Sequence, residues 1–269
     1  MESNLLERTV ADVLSEALSA ADDELFVVNP TADTIDELVE VMDEESPTVK
    51  LLADEGVLKD VMDDFLVASR AADHVEADRL EIRTYDEPTN TLLVDDESVV
   101  SVVRADGRVA GLTTDDEAFI ESAYERFSDA WDDAEAFNLR TPAISRVQST
   151  LRENLGEPTA DDFENVLASL ETARGDGDGL DEVTISLLVA AKNEDLLYDI
   201  SKWGEDVGIA SKATFSRTKS RMEEMGLIDT EKVPIDVGRP RLRLKLGDDQ
   251  LREASADDLA SVAQSMLTA

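Results

Sequence analysis

The chain has 269 residues, with 25 Lys and Arg against 63 Asp and Glu, a net charge of −38 and a pI near 4.1. That length suggests two domains, each able to bury its own core, while a carboxylate surplus this large repels nucleic acid on average. Without cysteine there are no disulfides or thiolate sites, and with His74 the only histidine, zinc chemistry built on Cys or His lacks a ligand set.

Disorder would accommodate so many carboxylates, but 42% hydrophobic residues in periodic runs mark a folded chain. Only 8 of the 25 basic residues are Lys, and the acidic residues are spread through every segment, as on the surface of a salt-adapted, halophilic archaeal or bacterial protein. No apolar run approaches the roughly 18 residues of a membrane span, so a cytoplasmic protein without membrane contact is expected.

In chain order, Leu5, Leu6, Val10, Val13, Leu14 and Leu18 recur at helical spacing and predict a helix over 3–20. A strand Leu25–Val28, a helix from Thr34 to Asp43, a strand Val49–Ala53, a helix from Gly56 to Ala77 and a strand Leu80–Tyr85 follow. This βαβαβ alternation favours a parallel sheet. Runs at Thr91–Val94, Ser98–Arg104 and Arg108–Leu112, the last two joined by the hairpin signal Asp106-Gly107, add antiparallel strands. A helix from Asp115 to Phe137, with Phe119, Ile120, Tyr124, Phe127 and Trp131 on one stripe, closes an α/β domain over 1–138.

Asn29, Thr31, Asp54, Glu55, Tyr85 and Asp86 follow predicted strand ends, where open α/β sheets place ligands. Asn29, Thr31, Asp54, Tyr85 and Asp86 are the candidate contacts to a small metabolite, although Thr34 with Glu37 also makes a good capping box and Asn29-Pro30 an ordinary turn. No Gly-x-Gly-x-x-Gly or Walker loop is present, and no cofactor or metal is expected. His74 reads as a solvent-edge or capping residue, and Asp176, Asp178 and Asp181 as a linker, since Leu180 interrupts any calcium-loop pattern.

Two helical stretches broken at Gly156-Glu157-Pro158 and ended by Gly175-Asp176-Gly177-Asp178-Gly179 make residues 139–179 a helical connector. From Val183 the texture becomes that of a winged helix-turn-helix over 180–269. A helix around Val183–Ala191 and another near Leu197 to Asp206 precede Gly208, suited to a left-handed turn, and Ser211, suited to cap a third helix at Lys212 to Met225. At 100° per residue, Phe215, Thr218, Met222 and Met225 share its inner face. The outer face carries Ala213, Arg217, Ser220 and Arg221, flanked by Thr214 and Ser216 with Lys212 near the amino end, short polar and basic groups that a major groove accepts. Strand-like runs Glu231–Ile235 and Arg241–Leu246 flank a wing, Asp236 to Pro240.

Charge supports this independently. Residues 212–245 hold nine basic against five acidic residues, a surplus of +4 that leaves −42 for the rest of the chain. The expected DNA contacts are Ser211, Lys212, Thr214, Ser216, Arg217, Ser220, Arg221, Arg239 and Arg241. Winged helices also serve protein or RNA contacts, whose mark would be an apolar outer face, and an α/β enzyme with an accessory winged helix is a third reading.

The run Gly208-Ile209-Ala210-Ser211-Lys212-Ala213-Thr214-Phe215-Ser216-Arg217, with Arg221 to Ile228 after it, resembles the recognition unit of winged-helix regulators. With Asn29-Pro30 and Gly238-Arg239-Pro240, the chain resembles the haloarchaeal TbsP transcriptional regulators over nearly its whole length. The amino-terminal domain is similar to the phospholipase-D-like sensor domain of TrmB-type regulators through Leu93-Val94-Asp95 and Gly111-Leu112-Thr113-Thr114-Asp115. The resemblance implies sequence-specific control of sugar-linked metabolic genes. It departs from the enzyme ancestor in lacking a His-x-Lys pair, since Val75-Glu76 follows His74. A homodimer on palindromic double-stranded DNA is expected, with the connector and the carboxyl-terminal helix (Leu259, Val262, Met266) as dimer surfaces outside the two cores.

Overall fold

In a computed structural model of the chain, residues 5–114, 116–170, 172–174, 180–235 and 240–267 are described. They divide into two compact units, residues 1–63 with 70–139 and residues 64–69 with 140–269.

The first unit begins with β1 (Leu5–Glu7), α1 (Val10–Ala20), β2 (Glu24–Val28), α2 (Ala32–Val41), β3 (Thr48–Ala53) and α3 (Glu55–Val61). The helix α4 (Phe65–Glu76) starts in the second unit and ends in the first, which continues with β4 (Leu80–Thr84), β5 (Leu92–Val94), β6 (Val99–Ala105), β7 (Arg108–Thr113) and α5 (Glu117–Asp133). The strands form one sheet in the order β1-β7-β6-β5-β2-β3-β4. Its β2-β3-β4 side is parallel, as the alternation predicts, and β5, β6, β7 and β1 add antiparallel members. Central strands buried on both faces read as continuous apolar runs, and Leu25, Phe26, Val27 and Val28 are all buried. Asp106 and Gly107 both take positive φ, 50° and 71°, as the expected tight hairpin requires. On one face α5 lays Ile120, Phe127 and Trp131 against Phe26, Val28, Val94 and Val99.

Three expectations fail in the amino-terminal half of the chain. The helix predicted from residue 3 starts at Val10, because Thr9 closes a capping box with Asp12 (3.1 Å in each direction) and Leu5 and Leu6 pair with β7 instead. The long helix after Gly56 is two helices. Asp64, buried between them, accepts hydrogen bonds from the amides of Leu66 (2.9 Å) and Ala173 (3.2 Å) and from the Thr172 hydroxyl. His74 is no edge residue: it is 8% exposed, and its Nε2 lies 3.3 Å from the Val39 carbonyl, which can only accept. Burial, seconded by Arg79, holds its pKa below the ordinary value.

The second unit continues with α6 (Ile144–Leu155), α7 (Glu157–Ala168), α8 (Glu182–Lys192), α9 (Leu197–Val207), α10 (Lys212–Glu224), β8 (Ile228–Val233), β9 (Arg241–Leu246), α11 (Asp249–Glu253) and α12 (Ala256–Leu267). The apolar α8, buried nearly throughout, is its centre. The segment expected to be a connector outside the cores is part of this one: Val147, Leu151, Phe163 and Val166 pack in the same cluster as Leu188, Trp203, Phe215 and Leu259. Phe163 meets Trp203 edge-on at 6.3 Å, and the Trp203 indole donates to Thr150 at 3.0 Å. The amphipathic faces of α6 and α7 therefore pack on α9 and α8, and that of α12 on α7, so all three are taken up within their own chain. Among the described residues no helix is long and apolar enough to cross a membrane.

Candidate nucleic-acid interface

Within the second unit α8, α9, α10 and the β8–β9 hairpin make a winged helix-turn-helix. The turn is set by two glycines. Gly208 takes φ 98° after α9, a left-handed value that an L side chain resists, and the Gly204 carbonyl accepts the amides of Gly208, Ile209 and Ala210. At Gly204 itself α9 and α10 approach so closely that a Cβ would stand 2.3 Å from the Phe215 ring. Ser211 then caps α10, its hydroxyl accepting the Thr214 amide at 3.2 Å.

This anchoring fixes the rotation of α10. Phe215 and Met222 are buried, Thr218 and Met225 half-buried, and Ser211, Lys212, Ala213, Ser216, Arg217, Ser220 and Arg221 exposed, with Thr214 half-buried at the edge. The eight expected contacts that lie in the described residues thus fall on α10 and at the start of β9, while Arg239 and the rest of the wing tip, Asp236 to Gly238, lie outside them. The outer face is polar and basic, not the apolar face of a protein-docking winged helix.

Apart from Lys219, whose Glu223 partner lies four residues on along the same helix, the partners of the basic groups were not visible in the sequence. Lys212 pairs with Glu205 (2.6 Å), Lys219 with Glu223 (2.7 Å), Arg241 with Asp199 (3.3 Å), Arg243 with Glu194 (3.9 Å) and Lys245 with Glu231 (2.7 Å). Their hydrogen bonds lower the pKa of Glu205 and Glu231 and raise those of Lys212 and Lys245. Arg241 also lies 4.2 Å over the centre of the Tyr198 ring. Tyr198 and Arg241, with Lys212 and Ser216, line a cleft of about 370 Å³ between α9, α10 and β9. Tyr198 was missed because an exposed tyrosine in an acidic helix carries no signal until β9 is seen beside it.

In the first unit, Asp54, Tyr85 and Asp86 come together around a cavity of about 580 Å³ at the carboxyl ends of β3 and β4, while Asn29 and Thr31 are not in its lining. Glu55, Glu87, Asp133 and Glu135 share it, so it is a carboxylate-rich cleft. Several candidates have structural duties: Thr31 caps α2, Asp54 caps α3 through the amides of Gly56 and Val57, and the Asn29 side chain donates to the Thr89 carbonyl. Burial, with the neighbouring Glu87 carboxylate, raises the pKa of Tyr85, whose hydroxyl donates to Glu87 at 3.2 Å.

Among solved structures the chain is similar to TrmBL2, described as an archaeal chromatin protein with a novel mode of DNA binding, at 20% identity and TM-score 0.39 over 51% of this chain and 54% of that one. It therefore spans about half the length of TrmBL2. NucT from Helicobacter pylori matches at 13% identity and TM-score 0.37, over 50% of this chain and 99% of that chain. The phosphatidylserine synthase of Haemophilus influenzae Rd KW20 matches at 12% and 0.32, over 50% and 39%. No curated protein matches. The family model for the TbsP-like amino-terminal domain matches residues 2–142 and that for the TbsP-like carboxyl-terminal helix-turn-helix domain matches residues 143–264. Because the two matches together span residues 2–264, the chain belongs to the TbsP-like transcriptional regulators, with their carboxyl-terminal helix-turn-helix domain.

Proposed function

We propose that the protein controls sugar-linked, central carbon metabolism genes in the cytoplasm, binding palindromic promoter DNA as a homodimer, with the first unit sensing a small metabolite and catalysing nothing. Two α10 helices would occupy successive major grooves about 34 Å apart, with the β8–β9 wings on flanking phosphates. The observation that carries this reading is the outer face of α10, where Ser216, Arg217, Ser220 and Arg221 stand exposed directly above buried Phe215 and Met222. Asp54, Tyr85 and Asp86 are the effector contacts we propose, and Asn29 and Thr31 position the loops beside them. His74, the one histidine of the chain, is buried against the Val39 carbonyl and so is poorly placed to serve as a phosphodiesterase nucleophile, in keeping with a first unit that catalyses nothing.

The test is binding to an operator selected from random duplexes. Arg217→Ala or Arg221→Ala should weaken specific binding by about 1–3 kcal/mol and relax sequence choice, whereas Arg241→Ala should weaken all sequences alike. Relaxed choice from the Arg241 change alone would reverse the roles assigned to helix and wing.

A further inference from the structure

We infer that the face of β1, β7 and β6 that no described helix covers is where two copies of this chain meet. Directly paired residues on antiparallel strands point to the same side of a sheet. Leu6 pairs with Ala110, and Ala110 with Val103, so these three form one row across the strands. Leu112, two residues along β7, lies on the same side, opposite Ser101. The central strands carry α5 on this side, but α5 stops short of the β1 edge. The opposite side is occupied, since a Cβ on Gly111 would stand 3.2 Å from Val13 of α1.

The result is an exposed apolar patch. Leu6 is 54% exposed, Val103 39% and Leu112 47%, and Phe119 of α5, at 56%, lines with Leu112 a groove of about 440 Å³. Contiguous exposed apolar surface of this kind marks an interaction site on a soluble protein.

Charge selects the occupant. In a chain with 63 acidic residues, none of the described residues in this row or lining this groove is Asp or Glu. A second copy also carries −38, so apposing two carboxylate-bearing faces sets like charges together at a cost of several kcal/mol. This face lets two such chains meet without that repulsion, and an isologous contact sets the same apolar patch against itself. β1 is also an edge strand of the sheet, a ready site for pairing with another chain.

The inference deepens the dimeric part of the proposed function but is tested without DNA. Sedimentation equilibrium of the full chain at micromolar concentration in molar potassium chloride should give twice 29.4 kDa. The double change Val103→Glu and Leu112→Glu should raise the dimer dissociation constant about 100-fold or more, whereas Val75→Glu, at an exposed valine of α4, should leave it unchanged. A monomeric parent, or a double variant that dimerises like the parent, overturns the proposal. Should the double variant lose its circular dichroism signal, a single cysteine decides, because the chain has none of its own. Ala110→Cys should cross-link to a dimer with a short bismaleimide and Val75→Cys should not; equal yields, or no Ala110→Cys product, overturn it. A monomer that still binds half-sites refutes this interface while keeping the DNA-binding reading, and a dimer through this face that binds no DNA does the reverse.

Discussion

Replacing Gly204 by Ala should destabilise the second unit and weaken DNA binding together. In an exposed helix the exchange would help, since Gly is less favourable than Ala by about 1 kcal/mol. Here the new methyl would stand 2.3 and 2.4 Å from two Phe215 ring carbons, against an ordinary carbon contact of about 3.5–4 Å. An overlap of about 1.2 Å obliges either the ring to leave its position or α10 to move away from α9. Phe215 is fully buried, so the ring has no free space to enter. Overpacking of this depth belongs at the upper end of the usual range, about 3 kcal/mol, leaving a net loss of about 2 kcal/mol after the helix-propensity gain. For a unit of this size that lowers Tm by about 6–8 °C. Thermal unfolding in molar potassium chloride, followed by the near-ultraviolet signal of Trp203, measures it, and operator affinity in the same samples should fall because α10 is displaced. A variant as stable as the parent with unchanged affinity would refute the packing argument, and with it the claim that Gly204 sets the position of the recognition helix.

Asp195, whose pKa burial raises from 3.8 to about 6 although it accepts the Thr159 hydroxyl at 2.8 Å, makes a pH prediction. Because the folded state holds this proton more tightly than the unfolded one, the contribution is full below 3.8 and is lost as pH rises to about 6. Asp195→Asn should therefore raise Tm at neutral pH and not at acidic pH, and an equal gain at both would count against it. Asp64→Ala strips the acceptor shared by Leu66, Ala173 and Thr172, leaving buried donors unsatisfied at a cost of about 2–4 kcal/mol, read by chemical denaturation. Operator affinity should fall with salt less steeply than about 0.9 log units per phosphate contact, because Lys212, Arg241, Arg243 and Lys245 leave carboxylates of their own on binding and those carboxylates take up cations. A full-slope, monotonic loss in a protein that stays folded would contradict that exchange.

The parallel half of the sheet and the phase of α10 were legible because burial there is local: buried strands read as apolar runs, and Phe215 and Met222 lie at helical spacing beneath the basic residues. Leu5 and Leu6 misled, since their spacing to Val10 suits a helix that the Thr9–Asp12 box in fact begins later. Residues 139–179 misled for another reason. An amphipathic helix announces that it has an apolar face but not which core receives it, and only the shared cluster of Phe163, Trp203 and Leu188 answers that. The ion pairs of the basic residues stayed hidden because Glu194, Asp199 and Glu205 reach them across the turn of the chain, at separations no periodicity reports.

The first turn of α4 belongs with a unit whose remaining residues begin at 140. Phe65 and Leu66 sit in that unit's core, and Asp64 holds the amide of Ala173. The helix-turn-helix unit is thus sewn from two stretches of chain and cannot be cut free at one point. A fragment starting at 140 loses Phe65, Leu66 and the buried carboxylate, and one starting at 180 also loses Val147, Leu151, Phe163 and Val166. The first fragment would open the core that Phe65 and Leu66 close, and the second would also strip α7 from the apolar α8, so weak DNA binding by either piece would report a damaged fold and not the absence of the first unit. Swapping carboxyl-terminal units between relatives would carry the same penalty unless residues 64–69 travel with them.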